Sequence, residues 1–267
     1  DDETLAALAG PDDLRLSLYC SQQGGLRFKF YRQGDDIPLS DALPMMENMG
    51  LRVISEHPYR IEAAGSVFFI QDFEVEYPRA LEVSEIDVDF EEAFAAIWRG
   101  QAENDGFNRL ILAAGLSWRQ VAMLRAYCKY LLQVGVTFSQ AYMEQTLSRY
   151  PLLARLLVEL FEARFDPTTG KESKAEIRAG MEKFQAQLER LTAGDAALAA
   201  AVAPVVDARA GKRDAQGEGG GDTLRGLMDR VSSLDEDRIL RSFMGAIEAT
   251  LRTSYYQAGR GGATTGY

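Results

Sequence analysis

Apolar and polar positions alternate in two short runs near the start of the chain. Residues 14–19 and 26–31 alternate strictly on either side of a glycine-containing turn, so they predict a β-hairpin. Residues 51–61 and 67–77 predict two further strands. Between the hairpin and these strands, residues 42–49 follow good N-cap candidates and end at a glycine, which predicts one short helix.

A second helix is predicted at residues 87–103, where large apolar side chains recur at helical spacing behind acidic residues. The predicted order is strand, strand, helix, strand, strand, helix. It becomes a permuted ferredoxin-like fold if the first hairpin strand takes the place of the usual last strand. That fold has four antiparallel strands with two helices on one face. We therefore expect an α+β domain over residues 1–105.

Strand signals disappear after residue 107, and helix signals repeat. A dense leucine stripe has Leu156 and Leu160 at its centre, and Pro151 suits the first turn of the same helix. The sequence therefore predicts an all-helical domain over residues 106–252. Capping boxes, which mark helix starts, are found at Ser117, Thr137, Ser173 and Ser233.

Two narrow apolar seams follow, in residues 177–191 and 240–251. Their apolar positions are spaced three and four apart, which predicts two helices that pair as an antiparallel hairpin. Between them, residues 209–222 contain five glycines and lack apolar periodicity. This segment predicts a mobile surface loop.

The composition of the 267 residues, 46% hydrophobic and 26% charged, is typical of a globular protein. No apolar stretch is long enough to cross a bilayer, so we expect no membrane association. The acidic residues 1–4 do not resemble a secretory signal, and we expect a cytoplasmic location. Cys20 and Cys128 lie far apart in sequence and predict two buried, reduced thiols.

Charge is distributed unevenly along the chain. Residues 1–90 hold 18 acidic and 7 basic side chains, whereas residues 91–267 hold 22 of each. The N-terminal third therefore carries the whole formal net charge of −11. Nucleic-acid binding requires clustered Lys and Arg, so this distribution argues against a nucleic-acid partner.

The sequence offers little catalytic chemistry. His57 is the single histidine, and no cysteine or second histidine is placed to complete a metal site or a nucleophile–base pair. Glycine clusters at residues 217–221 and 259–266 lack the strand–loop–helix context of a phosphate-binding loop. We therefore predict no catalytic residue, no metal site and no cofactor-binding residue in this chain.

One loop has functional promise. Gly34, Asp35 and Asp36 form a turn between a predicted strand and the helix that follows it. Backbone N–H groups at a helix N-terminus can bind a small carboxylate ligand, which makes these residues a candidate effector loop. The alternative is that the segment is only a turn.

Four segments of the sequence carry a resemblance to a known family. They are residues 40–59 (SDALPMMENMGLRVISEHPY), 113–130 (AAGLSWRQVAMLRAYCKY), 234–241 (LDEDRILR) and 250–257 (TLRTSYYQ). On these segments, and over about residues 14–257, the sequence resembles the large bacterial NAD-dependent glutamate dehydrogenases.

The resemblance implies an internal fragment with the last of several ACT-like domains and a helical region, ahead of a catalytic domain that begins near Thr253. Residues 253–267 would then start the missing catalytic domain and be disordered here. NAD would bind in the parent enzyme and not in this fragment. The implied partners are the rest of the parent chain, further copies in a homo-oligomer, and an amino-acid effector.

Two functions are consistent with these features. The first is a non-catalytic regulatory and scaffolding segment of the parent enzyme, which converts L-glutamate to 2-oxoglutarate and ammonia. The alternative is an amino-acid-sensing ACT module joined to a helical adaptor that binds another protein.

Overall fold

The computed structural model describes residues 2–8, 10, 13–22, 24–63, 65–78, 83–167, 174–193, 195–209 and 218–257. The chain divides into two compact units, Asp1–Leu112 and Ala113–Tyr267. We expected the division after residue 105. The first unit extends further because a 3₁₀ turn, Gly106–Asn108, contacts the helix Leu39–Asn48 of that unit and buries Phe107.

The first unit is an α+β fold in which the predicted order of strands and helices is confirmed, with one additional short helix at its start. Its elements are α1 (Asp2–Ala6), β1 (Leu14–Cys20), β2 (Leu26–Gln33), α2 (Leu39–Asn48), β3 (Arg52–Ala63), β4 (Ser66–Glu76) and α3 (Val83–Trp98).

The four strands form one antiparallel sheet in the order β1-β2-β4-β3. Strands β2 and β4 are central, with Phe28 opposite Phe73. This order is that of a ferredoxin-like sheet whose usual last strand has moved to the start of the chain. The predicted permuted fold is therefore confirmed.

The core of this unit is a cluster of aromatic rings between the sheet and α3. Phe28 contacts Phe30, Phe90 and Phe94 with centroid separations of 4.8, 5.0 and 5.1 Å. Helix α3 also protects the edge strand β1, because a Glu91 carboxylate oxygen accepts a 2.8 Å hydrogen bond from the Leu18 N–H. Burial raises the pKa of Glu91 even though this hydrogen bond favours the charged form.

The second unit is helical, as predicted. Its elements, counting one helix shared with the end of the first unit, are α4 (Arg109–Ala114), α5 (Trp118–Gln133), α6 (Gln140–Arg149), α7 (Pro151–Phe165), α8 (Lys174–Leu191), α9 (Ala196–Arg209), α10 (Glu218–Met228) and α11 (Leu234–Ala249). Helix α7 is central, since it contacts α6, α8, α10 and α11. The leucine stripe lies along it, with Leu156 and Leu157 buried and Leu160 partly exposed.

Helix starts agree with the predicted capping boxes at two of the four positions. Ser117 and Gln120 form a complete box at the start of α5, and Ser233 accepts a hydrogen bond from the Glu236 N–H at the start of α11. The prediction at Thr137 is wrong, because α6 begins two residues later and Ser139 caps it through the Tyr142 N–H. Ser173 lies outside the described residues.

The predicted pairing of the two apolar seams is wrong. Helix α8 packs mainly on α9 and α7, whereas α11 packs on α5, α6 and α7. The predicted loop at residues 209–222 also differs, because Glu218–Met228 is helical and residues 210–217 lie outside the described residues. Gly221 is buried in α10, and a Cβ added there would lie 3.8 Å from the Met244 side chain of α11.

The two cysteines differ in environment. Cys128 is buried and its thiol contacts the Met143 sulfur at 3.5 Å, as predicted. The prediction for Cys20 is wrong, since it lies exposed at the end of an edge strand. Within the described part of the chain, no helix combines the length and apolar character needed to cross a membrane.

Candidate functional site

The predicted effector loop lies between β2 and α2. Gly34 adopts a left-handed φ of +98°, and its N–H donates a 2.9 Å hydrogen bond to the Val67 carbonyl. Asp35 and Asp36 are exposed beside it. Helix α2 has no side-chain cap at its N-terminus, where Pro38 is the N-cap residue.

A buried glutamine fixes the end of this loop. Gln71 of β4 accepts a 2.7 Å hydrogen bond from the Ile37 N–H and donates a 2.9 Å bond to the Ile37 carbonyl. It also donates to the Glu56 carboxylate at 2.8 Å. The Ile37 N–H is therefore already occupied, and any ligand at this helix end would have to use the next N–H groups along the chain.

A second candidate surface, which we did not predict, is a groove in the helical unit. It encloses about 590 Å³. Helices α5, α7 and α11 form its walls together with the segment that follows α11. Its lining residues are Ala122, Met123, Ala126, Tyr127, Tyr130, Phe161, Ala246, Ala249, Thr250, Leu251, Arg252, Thr253, Ser254 and Tyr255.

Hydrogen bonds hold the segment after α11 against the helices. The Tyr127 hydroxyl lies 2.8 Å from the Thr250 hydroxyl, which in turn donates to the Ala246 carbonyl at 2.8 Å. Arg119 donates to the Tyr255 carbonyl at 3.2 Å, and its guanidinium lies 5.6 Å from the centre of the Tyr255 ring. These contacts join α5 directly to the chain beyond α11.

Aromatic packing completes this attachment. Phe161 of α7 contacts Tyr255 edge-on at 5.3 Å and stacks with Tyr256 at 6.3 Å. We expected residues 253–267 to be disordered, but residues 253–257 pack against the helical unit, and residues 258–267 lie outside the described residues. The apolar environment is what keeps these two phenols in place.

The titration of these tyrosines reflects their burial. Burial, with a smaller contribution from Glu162, raises the pKa of Tyr255 to about 12. Burial also raises the pKa of Tyr256, whose hydroxyl has no hydrogen-bond partner among the described residues. It likewise raises the pKa of Tyr127, against the opposing effect of the Thr250 hydrogen bond.

The groove lining consists mostly of alanine, methionine and aromatic side chains, and includes no carboxylate, imidazole or thiol. No group of His, Cys, Asp and Glu side chains within the described residues is arranged to hold a metal ion. His57 lies exposed on β3, with its ring nitrogen 3.4 Å from the Ser55 hydroxyl. The groove can hold apolar side chains of a partner.

The sequence contained a signal for this groove that we interpreted differently. Leu251 was assigned to the apolar seam of a helix, but α11 ends at Ala249 and Leu251 is exposed on the rim of the groove. Tyr255 and Tyr256 lie in the segment, residues 253–267, that was expected to be disordered. Two adjacent aromatic residues after a helix end are equally suited to pack back onto that helix bundle.

Three family models match successive parts of the chain. Residues 13–89 match the ACT3 domain of glutamate dehydrogenase, and residues 102–167 match its helical motif 3. Residues 223–267 match the catalytic domain of bacterial NAD-glutamate dehydrogenase. The catalytic match therefore begins before α11, rather than near Thr253.

Three similar proteins agree with these matches. The chain is 41% identical over 249 residues to the NAD-specific glutamate dehydrogenase of Halomonas elongata. It is 35% identical over 273 residues to that of Pseudomonas aeruginosa and 36% identical over 251 residues to that of Mycobacterium tuberculosis. These alignments cover 91%, 100% and 91% of the chain, but only 13%, 15% and 13% of the relatives.

The groove lies where two of the matched regions meet. Its α5 and α7 residues fall within helical motif 3, whereas its α11 residues and residues 250–255 fall within the catalytic-domain match. The Tyr127–Thr250 and Arg119–Tyr255 contacts therefore connect the two regions. With an ACT-like α+β unit, a helical motif and the start of a catalytic-domain match, the chain belongs to the bacterial NAD-specific glutamate dehydrogenase family.

Proposed function

We propose that this chain is a non-catalytic regulatory and scaffolding segment of an NAD-dependent glutamate dehydrogenase. The observation that carries the proposal is the attachment of residues 250–256 to helices α5 and α7. This attachment supports a role for helical motif 3 in positioning the first part of the catalytic-domain match.

The parent enzyme would convert L-glutamate to 2-oxoglutarate and ammonia and would bind NAD outside this segment. The relatives are NAD-specific glutamate dehydrogenases, which supports this reaction and this cofactor for the whole protein. The mainly apolar lining of the groove supports a non-catalytic role for the segment itself. We propose that it acts in the cytoplasm as part of a homo-oligomer of the parent chain.

Activity measurements separate the segment from the parent. The purified segment, incubated with NAD and glutamate, should produce no NADH above a blank without protein, whereas the full-length protein should produce it. NADH formation by the segment alone would show that the non-catalytic assignment is wrong.

The scaffolding role is tested by removing one hydroxyl at the attachment. In the full-length protein, Tyr127→Phe removes the hydrogen bond to Thr250 while keeping the ring. A hydrogen bond of this kind contributes about 1 kcal/mol, so heat inactivation should become about fivefold faster. Tyr142→Phe on α6 is the matched control, because this residue lies in the same motif outside the groove. Equal inactivation of both variants would contradict the scaffolding role.

Amino-acid sensing is the second candidate function. The uncapped N-terminus of α2 could bind the carboxylate of an amino acid, and Asp35 and Asp36 could bind its ammonium group. Calorimetric titration of the segment with a panel of amino acids should then give saturable heat that Asp36→Asn reduces. If no amino acid of the panel gives saturable heat, Gly34, Asp35 and Asp36 form only a turn and bind no effector.

A further inference from the structure

The rim of the groove exposes two large apolar side chains. Leu251 is 91% exposed and Tyr130 is 51% exposed, and both line the same groove. Single exposed apolar residues are normal on protein surfaces, but a contiguous apolar surface with a concave centre is typical of an interaction site. Ala126 and Ala249, also exposed in this lining, leave room for a partner to approach the helix backbones.

The position of the groove indicates which partner would fill it. Part of its wall, residues 246–255, belongs to the catalytic-domain match, which runs through residue 267. The chain spans no more than 15% of the relatives, so much of the parent protein lies outside it. Tyr255 lines the groove and lies within the catalytic-domain match, so the chain continues from the groove into the rest of that domain.

This tethering favours the catalytic domain over a second copy of the segment. A partner joined by a short linker is present at an effective concentration of about millimolar, whereas a separate molecule has to associate from dilute solution. A groove with an apolar lining of this size therefore needs only modest affinity to stay occupied within one chain.

We propose that an apolar segment of the catalytic domain, C-terminal to residue 267, docks into this groove and covers Leu251 and Tyr130. The inference rests on the proposed function, because it takes the chain as part of the larger enzyme. Docking would link helical motif 3 to the catalytic domain through noncovalent contacts, in addition to the covalent connection along the chain.

The first experiment measures the accessibility of the rim. In a Cys20→Ser background, Leu251→Cys is labelled with a small thiol reagent, both in the segment and in the full-length protein, and quantified by peptide mass spectrometry. Labelling in the full-length protein should be at least about tenfold slower, because docking covers this position. The matched control is Leu234→Cys at the start of α11, which is 66% exposed and outside the groove lining.

The outcomes are distinct. Slow labelling at position 251 with unchanged labelling at position 234 supports docking. Equal rates for Leu251→Cys in the segment and the full-length protein overturn it, as does equal slowing at both positions, which would not be specific for the groove. The proposed function would survive these last results, because it is tested by NADH formation and by Tyr127→Phe.

A crosslinking experiment identifies the occupant. A photoreactive amino acid at position 251 of the full-length protein should crosslink to peptides of the catalytic domain beyond residue 267. Crosslinks to the helical unit of a second copy would overturn the proposal and identify the groove as a contact between subunits. Crosslinks only to solvent or buffer molecules would also overturn it.

Discussion

The α+β unit and the helical unit differ in how far the sequence determines their packing. In the α+β unit, the alternation of apolar and polar residues along β1 and β2 indicates which side chains face the helices, with Leu14, Leu18, Phe28 and Phe30 buried. In the helical unit, the pattern fixes which face of each helix is apolar but leaves several partners open. The comparison shows that a helix with a correctly predicted seam can still be assigned the wrong neighbour.

Helices α8 and α11 illustrate the difference. Both carry the predicted apolar seams, with Phe184 and Phe243 buried. Nevertheless, the two helices do not pair with each other. Helix α8 packs mainly on α9 and α7, and helix α11 packs mainly on α5, α6 and α7. Any apolar stripe of the right width would be compatible with the same seam, so sequence spacing alone could not select the partner.

The largest expected effect tests the α+β core. Phe28→Ala removes a fully buried ring that contacts Phe30, Phe90 and Phe94. The lost burial and the resulting cavity should lower the free energy of unfolding by about 3–5 kcal/mol. Urea unfolding followed by Trp98 fluorescence in a Trp118→Phe background measures it, because Trp98 lies in this unit.

The control for this prediction is Tyr59→Ala on β3. Tyr59 is 53% exposed, and its loss should change the free energy of unfolding by less than about 0.5 kcal/mol. If both variants unfold at the same urea concentration, the aromatic cluster does not stabilise the sheet as the structure indicates.

The corresponding test in the helical unit compares two leucines of α7. Leu157 is fully buried, whereas Leu160 is partly exposed. Leu157→Ala should lower the free energy of unfolding by about 2–5 kcal/mol, and Leu160→Ala by clearly less. Trp118 fluorescence in a Trp98→Phe background reports on this unit. A larger loss for Leu160→Ala would mean that α7 is rotated from the orientation described.

Much of the fold could be predicted from the sequence for physical reasons that apply residue by residue. Strict alternation around Leu16 and Phe28 permits only a strand, and Ser117 with Gln120 forms the capping box that was predicted. The α10 glycines were misleading because the same residue type suits a loop and a close helix contact. Gly221 lies in a helix, and the side chain of Met244 on α11 is its neighbour.

The groove could not be predicted in the same way. It depends on where α11 ends, and Leu251 continues the helical spacing even though it lies beyond Ala249. The contact between Tyr127 and Thr250 joins residues 123 positions apart in the sequence. Local periodicity carries no information about such a contact. The candidate effector loop, in contrast, was predicted from residues Gly34 to Asp36 alone, and both its role and its ligand binding stay predictions.

A smaller effect is expected at the turns of the helical unit. Gly115 and Gly135 both have left-handed backbone angles, with φ of +62° and +90°. Substitution by alanine should therefore cost about 1–2 kcal/mol at either position. At Gly115, an added Cβ would lie 2.9 Å from the Gln187 amide nitrogen, which donates a hydrogen bond to the Gly115 carbonyl.

Gly115→Ala should consequently be less stable than Gly135→Ala by about 1 kcal/mol, the contribution of one hydrogen bond. Gly135 is the matched control because a Cβ there would meet nothing within 4 Å. Thermal unfolding of the two variants in the Trp98→Phe background gives the comparison. Equal stability would show that α8 does not press on the turn before α5.

The smallest expected effect is a loss of stability at alkaline pH. In each unit, a buried tyrosine with a raised pKa should contribute to it. Burial raises the pKa of Tyr31 in the α+β unit and of Tyr255 in the helical unit to about 12, from an ordinary value of 10.0. The folded state therefore keeps a proton that the unfolded state loses. The stabilisation is complete below pH 10.0 and is lost as the pH rises towards about 12.

For a single tyrosine, the free energy of unfolding can fall by at most about 1.4 kcal/mol per pH unit within this window. Tyr255→Phe should reduce the slope seen by Trp118, and Tyr31→Phe the slope seen by Trp98. Neither slope should disappear, since burial also raises the pKa of Tyr127 and Tyr256 in the helical unit and of Tyr19 in the α+β unit. Because a phenylalanine keeps the ring contacts with Phe161, an unchanged Trp118 slope in Tyr255→Phe would mean that the Tyr255 hydroxyl is solvated. The attachment of the segment after α11 would then be looser than the buried ring indicates.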